Sequence, residues 1–140
     1  MRLSEAYKVH HIIILIVCIV ILAASLAFQV NDDTLYLLEH KWPMHCFMFK
    51  TLGIKCSLCG LTRSLVWFAH GNFTKSINSH RIGPAIFAFI CLQVPYRIYA
   101  LSIYPGKINI NVVRLNLSLA VLLAFAVLLN WLIYLGGLIL

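Results

Sequence analysis

The sequence predicts an all-α membrane protein: about three transmembrane helices, plus one short re-entrant or interfacial helix that carries a CxxCGLTR motif. Composition and the spacing of its apolar runs predict this class. Hydrophobic side chains make up 62% of the 140 residues and charged ones only 11%, and the mean hydropathy is +0.93. In a soluble domain apolar residues are about half. A spanning helix needs about 20 apolar residues, and the chain holds three runs near that length, which together fill much of a single membrane domain over residues 1–140.

The first run, IIILIVCIVILAASLAFQV from Ile12 to Val30, has no charge in 19 residues. Arg2 and Lys8 before it, and the small residues Ala23, Ala24, Ser25 and Ala27 within it, are also features of a signal peptide. Its apolar core exceeds the roughly 7–15 residues of a signal h-region, so an uncleaved helix is expected. The second span covers about 82–104, with Pro84 near its start, Pro95 inside it, and Tyr96, Tyr99 and Tyr104 forming an interfacial belt at its far end. The third covers about 115–140 and is unbroken until Asn130 and Trp131. Small residues such as Ala23, Ser25, Gly136 and Gly137 would let helices approach closely.

Orientation follows from lysine and arginine near the span ends. Arg2 and Lys8 precede the first helix, whereas Asp32, Asp33 and Glu39 come before the first lysine after it. The N-terminus is therefore expected in the cytoplasm and the cysteine segment toward the periplasmic face of a bacterial inner membrane. Long segments obey the rule poorly, so the lysines and arginines between residues 41 and 81 do not overturn the assignment. Disulfides persist in that outer compartment, and Cys56 and Cys59 are expected to form one.

Between the first two spans lies a segment, about 44–80, that concentrates the reactive groups. CSLCGLTRSLVWFAH is helix-permissive and apolar, yet its 15 residues reach only about 22 Å as a helix. It is too short to cross a bilayer and must be re-entrant or interfacial, and Gly71-Asn72 ends it as a turn. At 100° per residue, Cys59, Arg63, Val66 and His70 would form one stripe, flanked by Cys56 and Thr62. The helix dipole and Arg63 would then lower the thiol pKa values of the pair. If the pair is redox-active, Cys56 and Cys59 are the couple and Cys46 a relay or resolving thiol. His45, Cys46, Cys56 and Cys59 also make up the donors of a Cys3His zinc site. The gap between the donor pairs is short for zinc, and adjacent His45 and Cys46 would be awkward joint ligands. No cofactor is predicted, and zinc is the metal those donors would suit.

The run from Cys46 and Phe47 through Lys50, Thr51, Gly53, Cys56, Cys59, Gly60, Leu61, Thr62 and Arg63 to Gly71 and Asn72 resembles an uncharacterised family of small bacterial membrane proteins. That family shares a C-x9-C-P-x-C-G-[LM]-T-R core and a G-[DN] turn. Ser57 stands here where its pattern has proline, and Ser76, His80 and Arg81 stand at the last positions of the pattern. The resemblance covers about Cys46 to Gly83 and implies a membrane site without implying a reaction.

Residues outside that core have simpler expected roles. Cys18 and Cys91 lie alone in spans, where cysteine packs as a small hydrophobe. Arg97 is expected to snorkel to the headgroups; His10 and His11, at the start of the first span, and His40 are expected to be solvated. His70 and His80 frame the turn and would serve as caps or carbonyl donors as readily as in catalysis. Lys50, Lys55, Lys75 and Arg81 would form a headgroup-facing rim. Arg63 in mid-helix needs several acceptors, and the chain's only acids are Glu5, Asp32, Asp33 and Glu39. Lipid phosphate or a partner protein therefore gains weight, with Thr62, Arg63, His70, His80, Arg81 and Arg97 as candidate anchors.

There is no Ser-His-Asp set, carboxylate pair, phosphate loop or dinucleotide fingerprint. A net charge of +7 in so apolar a chain suits anionic lipid and not nucleic acid. The leading expectation is an accessory protein or complex subunit, more a docking element than an enzyme, which meets lipid headgroups and a partner protein or a second copy. A membrane thiol-disulfide oxidoreductase and a small lipid-handling or transport protein are the alternatives.

Overall fold

The computed structural model describes residues 3–31, 34–37, 40–42, 46–102 and 110–139. Among them the chain forms α1 (Leu3–Ala27), β1 (Gln29–Asn31), β2 (Thr34–Leu37), β3 (His40–Trp42), α2 (Phe47–Leu52), α3 (Leu61–Ala69), α4 (Phe73–Ser79), α5 (Gly83–Ser102) and α6 (Ile110–Ile139). Three apolar stretches are long enough to cross a bilayer: Tyr7–Ala27, Gly83–Ser102 and Ile110–Gly137. These are the three spans expected from the sequence. α1 starts earlier than its apolar core because Lys8, His10 and His11 continue the helix, and α6 starts at Ile110 because Asn111 and Arg114 do the same. Tyr104 of the expected interfacial belt, and the acids Asp32, Asp33 and Glu39, on which part of the orientation argument rests, lie outside the described residues.

Strands after α1 were not expected from the sequence. β1, β2 and β3 form an antiparallel meander with Gln29 opposite Tyr36 and Leu35 opposite Trp42. Leu35 is 2% exposed and pins the meander, which leans on α3 through β1. α5 packs along α1, and α3 sits among α1, α4 and α5. α6 stands apart from this group. Its described hydrogen bonds to other elements are one from Gln93 Nε2 to Asn116 Oδ1 and one from Trp131 Nε1 to the Lys55 carbonyl at 2.9 Å.

The packing is inverted relative to a water-soluble domain. Buried positions are as often polar (His11, Ser25, Ser64, Ser76, His80, Gln93 and Arg97) as apolar. Leucines, isoleucines and valines line the outside of α1 and α6. Apolar side chains gain nothing from leaving lipid, so helices in a bilayer associate through close packing and hydrogen bonds. Of the small residues expected to mediate approach, Ser25 is buried, but Gly136 and Gly137 face open space. Close approach occurs instead at Gly60 and Gly83. Pro95 lies within α5 and has no N–H for the carbonyl of Cys91 one turn earlier.

Candidate functional site

The cysteine segment folds as a hairpin of short helices. α2 closes at Gly53 (φ +68). The chain then makes a tight turn in which Cys59 N–H donates to the Cys56 carbonyl and Leu61 N–H to that of Leu58, both at 3.0 Å. α3 begins only after this turn, with Gly60 (φ +86) as its N-cap. This corrects the expected single helix from Cys56 to His70: the conformation at Gly60 is left-handed, which glycine adopts at little cost and which a helix interior does not allow. The Ser79 carbonyl also occupies the position a Cβ at residue 60 would take. Cys56 and Cys59 therefore do not share a helix face with Arg63 and His70.

α3 ends at the Gly71-Asn72 turn foreseen from the sequence, where Asn72 N–H reaches back to the Trp67 carbonyl at 2.9 Å. α4 then returns against α3 through two fully buried serines. The hydroxyl of Ser64 donates to the Ser76 carbonyl and that of Ser76 to the Ser64 carbonyl, each at 2.8 Å, with the two oxygens 2.9 Å apart. Gly83, the first residue of α5, closes this junction, because Ser64 Oγ fills the place of its missing Cβ. His80 is buried beside it, with Nε2–H donating to the Ser57 carbonyl at 3.1 Å. A carbonyl only accepts, so the proton is on Nε2. Nδ1 is buried and, among the described residues, has no hydrogen-bond partner.

Cys46, Cys56 and Cys59 come together at the open end of the hairpin, and all three are free thiols. The electrostatics differ from expectation. The Cys46 thiol is lowered to about 7 by the N–H of Phe49 and then by the N–H and thiol of Cys56, although no side-chain bond closes a formal cap at α2. Burial, followed by repulsion from Cys46 and Cys56, pushes the Cys59 thiol up. The activated thiol is thus Cys46 rather than Cys59, because backbone N–H groups converge on it while Cys59 is partly desolvated. Among the described residues no group of three or more His, Cys, Asp or Glu is arranged to hold a metal ion. His45, the histidine of the zinc set, lies outside them.

Between this hairpin and the C-terminal part of α6 lies a cavity of about 590 Å³. Lys55, Cys56, Cys59, His80 and Arg81 form one wall; Asn130, Trp131 and Tyr134 from α6 form the other, with Ile77, Ile133 and Gly137 supplying apolar surface. Among the described residues no aspartate or glutamate lines it. The cavity gathers Cys56, Cys59, His80 and Arg81 from the sequence-predicted set and leaves out the rest. Thr62 is exposed on α3, and Arg63 is half-buried, its guanidinium near the Gly60–Ser79 seam. His70 is exposed at the end of α3, donating from Nδ1 to the Val66 carbonyl at 2.9 Å.

Arg97 belongs to a separate place, about 21 Å along α5 from Gly83 at 1.5 Å per residue. It does not snorkel: it is buried, donating from Nε to Gln93 Oε1 at 3.2 Å and from Nη1 to His11 Nδ1 at 3.0 Å. His11 is likewise buried and not solvated. Arginine has no acceptor, so His11 Nδ1 must offer its lone pair, and Gln93 must turn its amide NH2 toward Asn116. The rings of Tyr7 and Tyr96 flank His11 at 4.3 and 6.2 Å. A buried arginine at membrane depth needs such acceptors, and neutral side chains on α1 and α5 provide them. Cys18 is buried as expected, and Cys91 is exposed.

Residues 46–94 match a family described as a protein of unknown function (DUF2752). The matched segment starts at Cys46 and spans the thiol group, the serine junction, His80, Arg81 and α5 as far as Val94, in line with the resemblance seen in the motif. It contains the hairpin wall of the cavity and leaves out α1 and α6. No curated protein and no solved structure matches the chain. Sequence reading missed Ser64, named Ser76 only as a position of the family pattern and His11 only as a solvated residue, and noted Asn130 and Trp131 only as a break in an apolar run. Two serines twelve apart on different short helices, and a histidine 86 positions from its arginine, leave no local periodic signal.

Proposed function

We propose that this chain is a small multi-pass accessory protein or complex subunit of the bacterial inner membrane, with its N-terminus in the cytoplasm, which docks an anionic group of a partner in the basic cavity beside its cysteine hairpin. One observation supports the reading: Lys55 and Arg81 line a cavity with no carboxylate among the described residues. Two cations with no described carboxylate beside them favour an anionic occupant, and the lower dielectric beside a membrane strengthens that attraction. The cysteine hairpin shapes the wall, and Trp131 ties it to α6. Purification of the full chain in mild detergent, as wild type and as Lys55→Gln/Arg81→Gln, tests this through what copurifies. An anionic component found with the wild type and lost from the variant is expected, and identical recoveries would remove the cavity from the account. An impermeant maleimide applied to Cys56 in intact reduced cells tests the orientation, and labelling only after the cytoplasm is opened would reverse it.

A second reading, a membrane thiol-disulfide oxidoreductase, is favoured by the Cys46 thiol, lowered to about 7 by the Phe49 N–H beside two further cysteines. A thiolate attacks a disulfide faster than a thiol does. Cys46→Ser, Cys56→Ser and Cys59→Ser should then each abolish exchange with a disulfide substrate, which the thiols would reduce as they become oxidised, while protein levels hold. Unchanged exchange in all three would dismiss it.

A further inference from the structure

The three thiols of the hairpin are not equivalent neighbours. We infer that Cys46 and Cys56, and not the C-x-x-C pair, form the redox couple of this site: Cys46 attacks a substrate disulfide, Cys56 closes on Cys46, and Cys59 stays a thiol. This rests on the thiol-disulfide reading and names its pair. The contacts within the hairpin support it. The Cys46 sulfur accepts hydrogen bonds from the N–H and the thiol of Cys56, and the Cys59 thiol donates to the same sulfur. Cys46 is thus the sulfur that both other thiols touch, and Cys56 is the neighbour that touches it twice. The backbone is fixed at both of these cysteines: Lys50 N–H holds the Cys46 carbonyl and Cys59 N–H holds that of Cys56, each at 3.0 Å. Closing the bond asks chiefly for rotation of two side chains.

The competing pair is disfavoured on two counts. Cys59 is the thiol that burial pushes up, and a thiol that keeps its proton is a slow nucleophile. A Cys56–Cys59 bond would also close only the turn from residue 56 to 59, whereas Cys46–Cys56 closes the segment from 46 to 56. A longer closed loop restrains more of the unfolded chain. Cys46 and Cys56 are both half-buried, so a substrate disulfide can reach them. Cys46 stands apart from the cavity wall on which Cys56 and Cys59 lie, so exchange does not require the cavity to be empty. Attack by the Cys46 thiolate, its thiol lowered to about 7 chiefly by the Phe49 N–H, breaks the substrate S–S bond, forms a mixed disulfide and expels one substrate thiolate. Cys56 then gives up its proton, attacks the Cys46 sulfur and expels the second. The two expelled thiolates take up the two protons that Cys46 and Cys56 release. One protein dithiol is oxidised and one disulfide is reduced to two thiols. Cys59 takes part through the hydrogen bond its thiol gives to Cys46.

The test uses the full chain, reduced and in mild detergent, with glutathione disulfide as the probe at pH 7. Samples are quenched in acid, the remaining thiols are labelled with a maleimide, and tryptic fragments are read by mass spectrometry. Residues 42–50 carry Cys46, and residues 56–63 carry both Cys56 and Cys59. The wild type should yield 42–50 joined to 56–63, with the maleimide on Cys59. Cys56→Ser should lose that joined product and accumulate glutathione on Cys46. Cys46→Ser should slow the first release of glutathione about threefold or more, since the remaining thiols hold less thiolate at this pH. A bond closed inside 56–63, or a joined product with the maleimide on Cys56, would overturn the pair and leave the oxidoreductase reading standing. Release from Cys46→Ser as fast as from the wild type would overturn the attack by Cys46 in the same way. No thiol of the hairpin lost to glutathione disulfide in the wild type would overturn both the pair and the reading.

Discussion

The two ends of α5 are held by opposite chemistry. At Gly83 the helix meets α3 and α4 through a glycine and two serines with no charge, and every group there is small and bonded at 2.8–2.9 Å. Fourteen residues on, it meets α1 and α6 through a long cation, a glutamine, a histidine and an asparagine. The first junction works by shape: the backbones lie so close that a methyl group cannot enter. The second works by hydrogen-bond satisfaction, because its side chains are long enough to bridge helices that stay further apart. Small-residue packing tolerates no enlargement, whereas a network of long side chains can rearrange after a loss. The first end holds the matched segment together, and the second assembles the spans around it.

The largest effect should come from breaking the first junction. Gly83→Val places two methyl groups where Ser64 Oγ lies, which combines overpacking with loss of both serine bonds, about 3 kcal/mol or more. Thermal denaturation in detergent should show a large drop, and Ser64→Ala should cost less because it removes only the Ser64 hydroxyl's bond to the Ser76 carbonyl and leaves the Ser76 hydroxyl on the Ser64 carbonyl. Equal losses for the two would mean that the junction works by hydrogen bonding and not by shape. At the second junction, Arg97→Met leaves His11 Nδ1 and Gln93 Oε1 without their donor, at a cost of about 1–3 kcal/mol. Arg97→Lys should recover only part of it, since one ammonium cannot reproduce donation from both Nε and Nη1. A loss exceeding that of Gly83→Val would reverse the ranking of the two ends.

A third measurement concerns the cysteine hairpin alone. Cys46, lowered to about 7 from 9.0 by the Phe49 N–H, should be alkylated about tenfold faster at pH 8 than at pH 6 and then level off, since only the thiolate reacts. Cys59, pushed up by burial, should still be climbing about tenfold per pH unit there. Site-resolved mass spectrometry of the reduced protein reads both, and parallel curves would remove the distinction between them. The sign for stability follows: the folded chain favours the Cys46 thiolate, so that contribution is complete above about pH 9 and gone once pH falls through 7. The smallest effect should be that of Trp131→Phe, which deletes one exposed hydrogen bond to the Lys55 carbonyl, about 0.5–1.5 kcal/mol. α6 should loosen from the hairpin in hydrogen exchange while both junctions on α5 remain protected.

The sequence made the three spans legible because hydropathy acts over twenty residues and needs no partner. The Gly71-Asn72 turn was legible because it is local. The stripe of Cys59, Arg63, Val66 and His70 was not, because a wheel assumes continuous helix and Gly60 interrupts it with a left-handed residue that glycine adopts readily in any turn. The meander of residues 29–42 was hidden for a related reason: strands of three or four residues are shorter than any reliable alternation. Arg97 looked like a snorkelling residue because Tyr96 and Tyr99 suggested an interface. Its acceptor His11 sits on another helix, and pairing across 86 positions depends on how α1 and α5 are juxtaposed in space.

Pro95 gives the contrast between the ends of α5 a mechanical meaning. It stands between Gln93, which holds Asn116 of α6, and Arg97, which holds His11 of α1. A helix is easiest to bend where a proline interrupts its ladder. α5 is therefore a jointed strut, its N-terminal arm clamped to α3 and its joint placed where the other two spans take hold. Because Trp131 is fastened to the hairpin and Asn116 to Gln93 near the joint, any change of angle at Pro95 would swing α6 about those two fastenings and alter the gap in which the cavity lies.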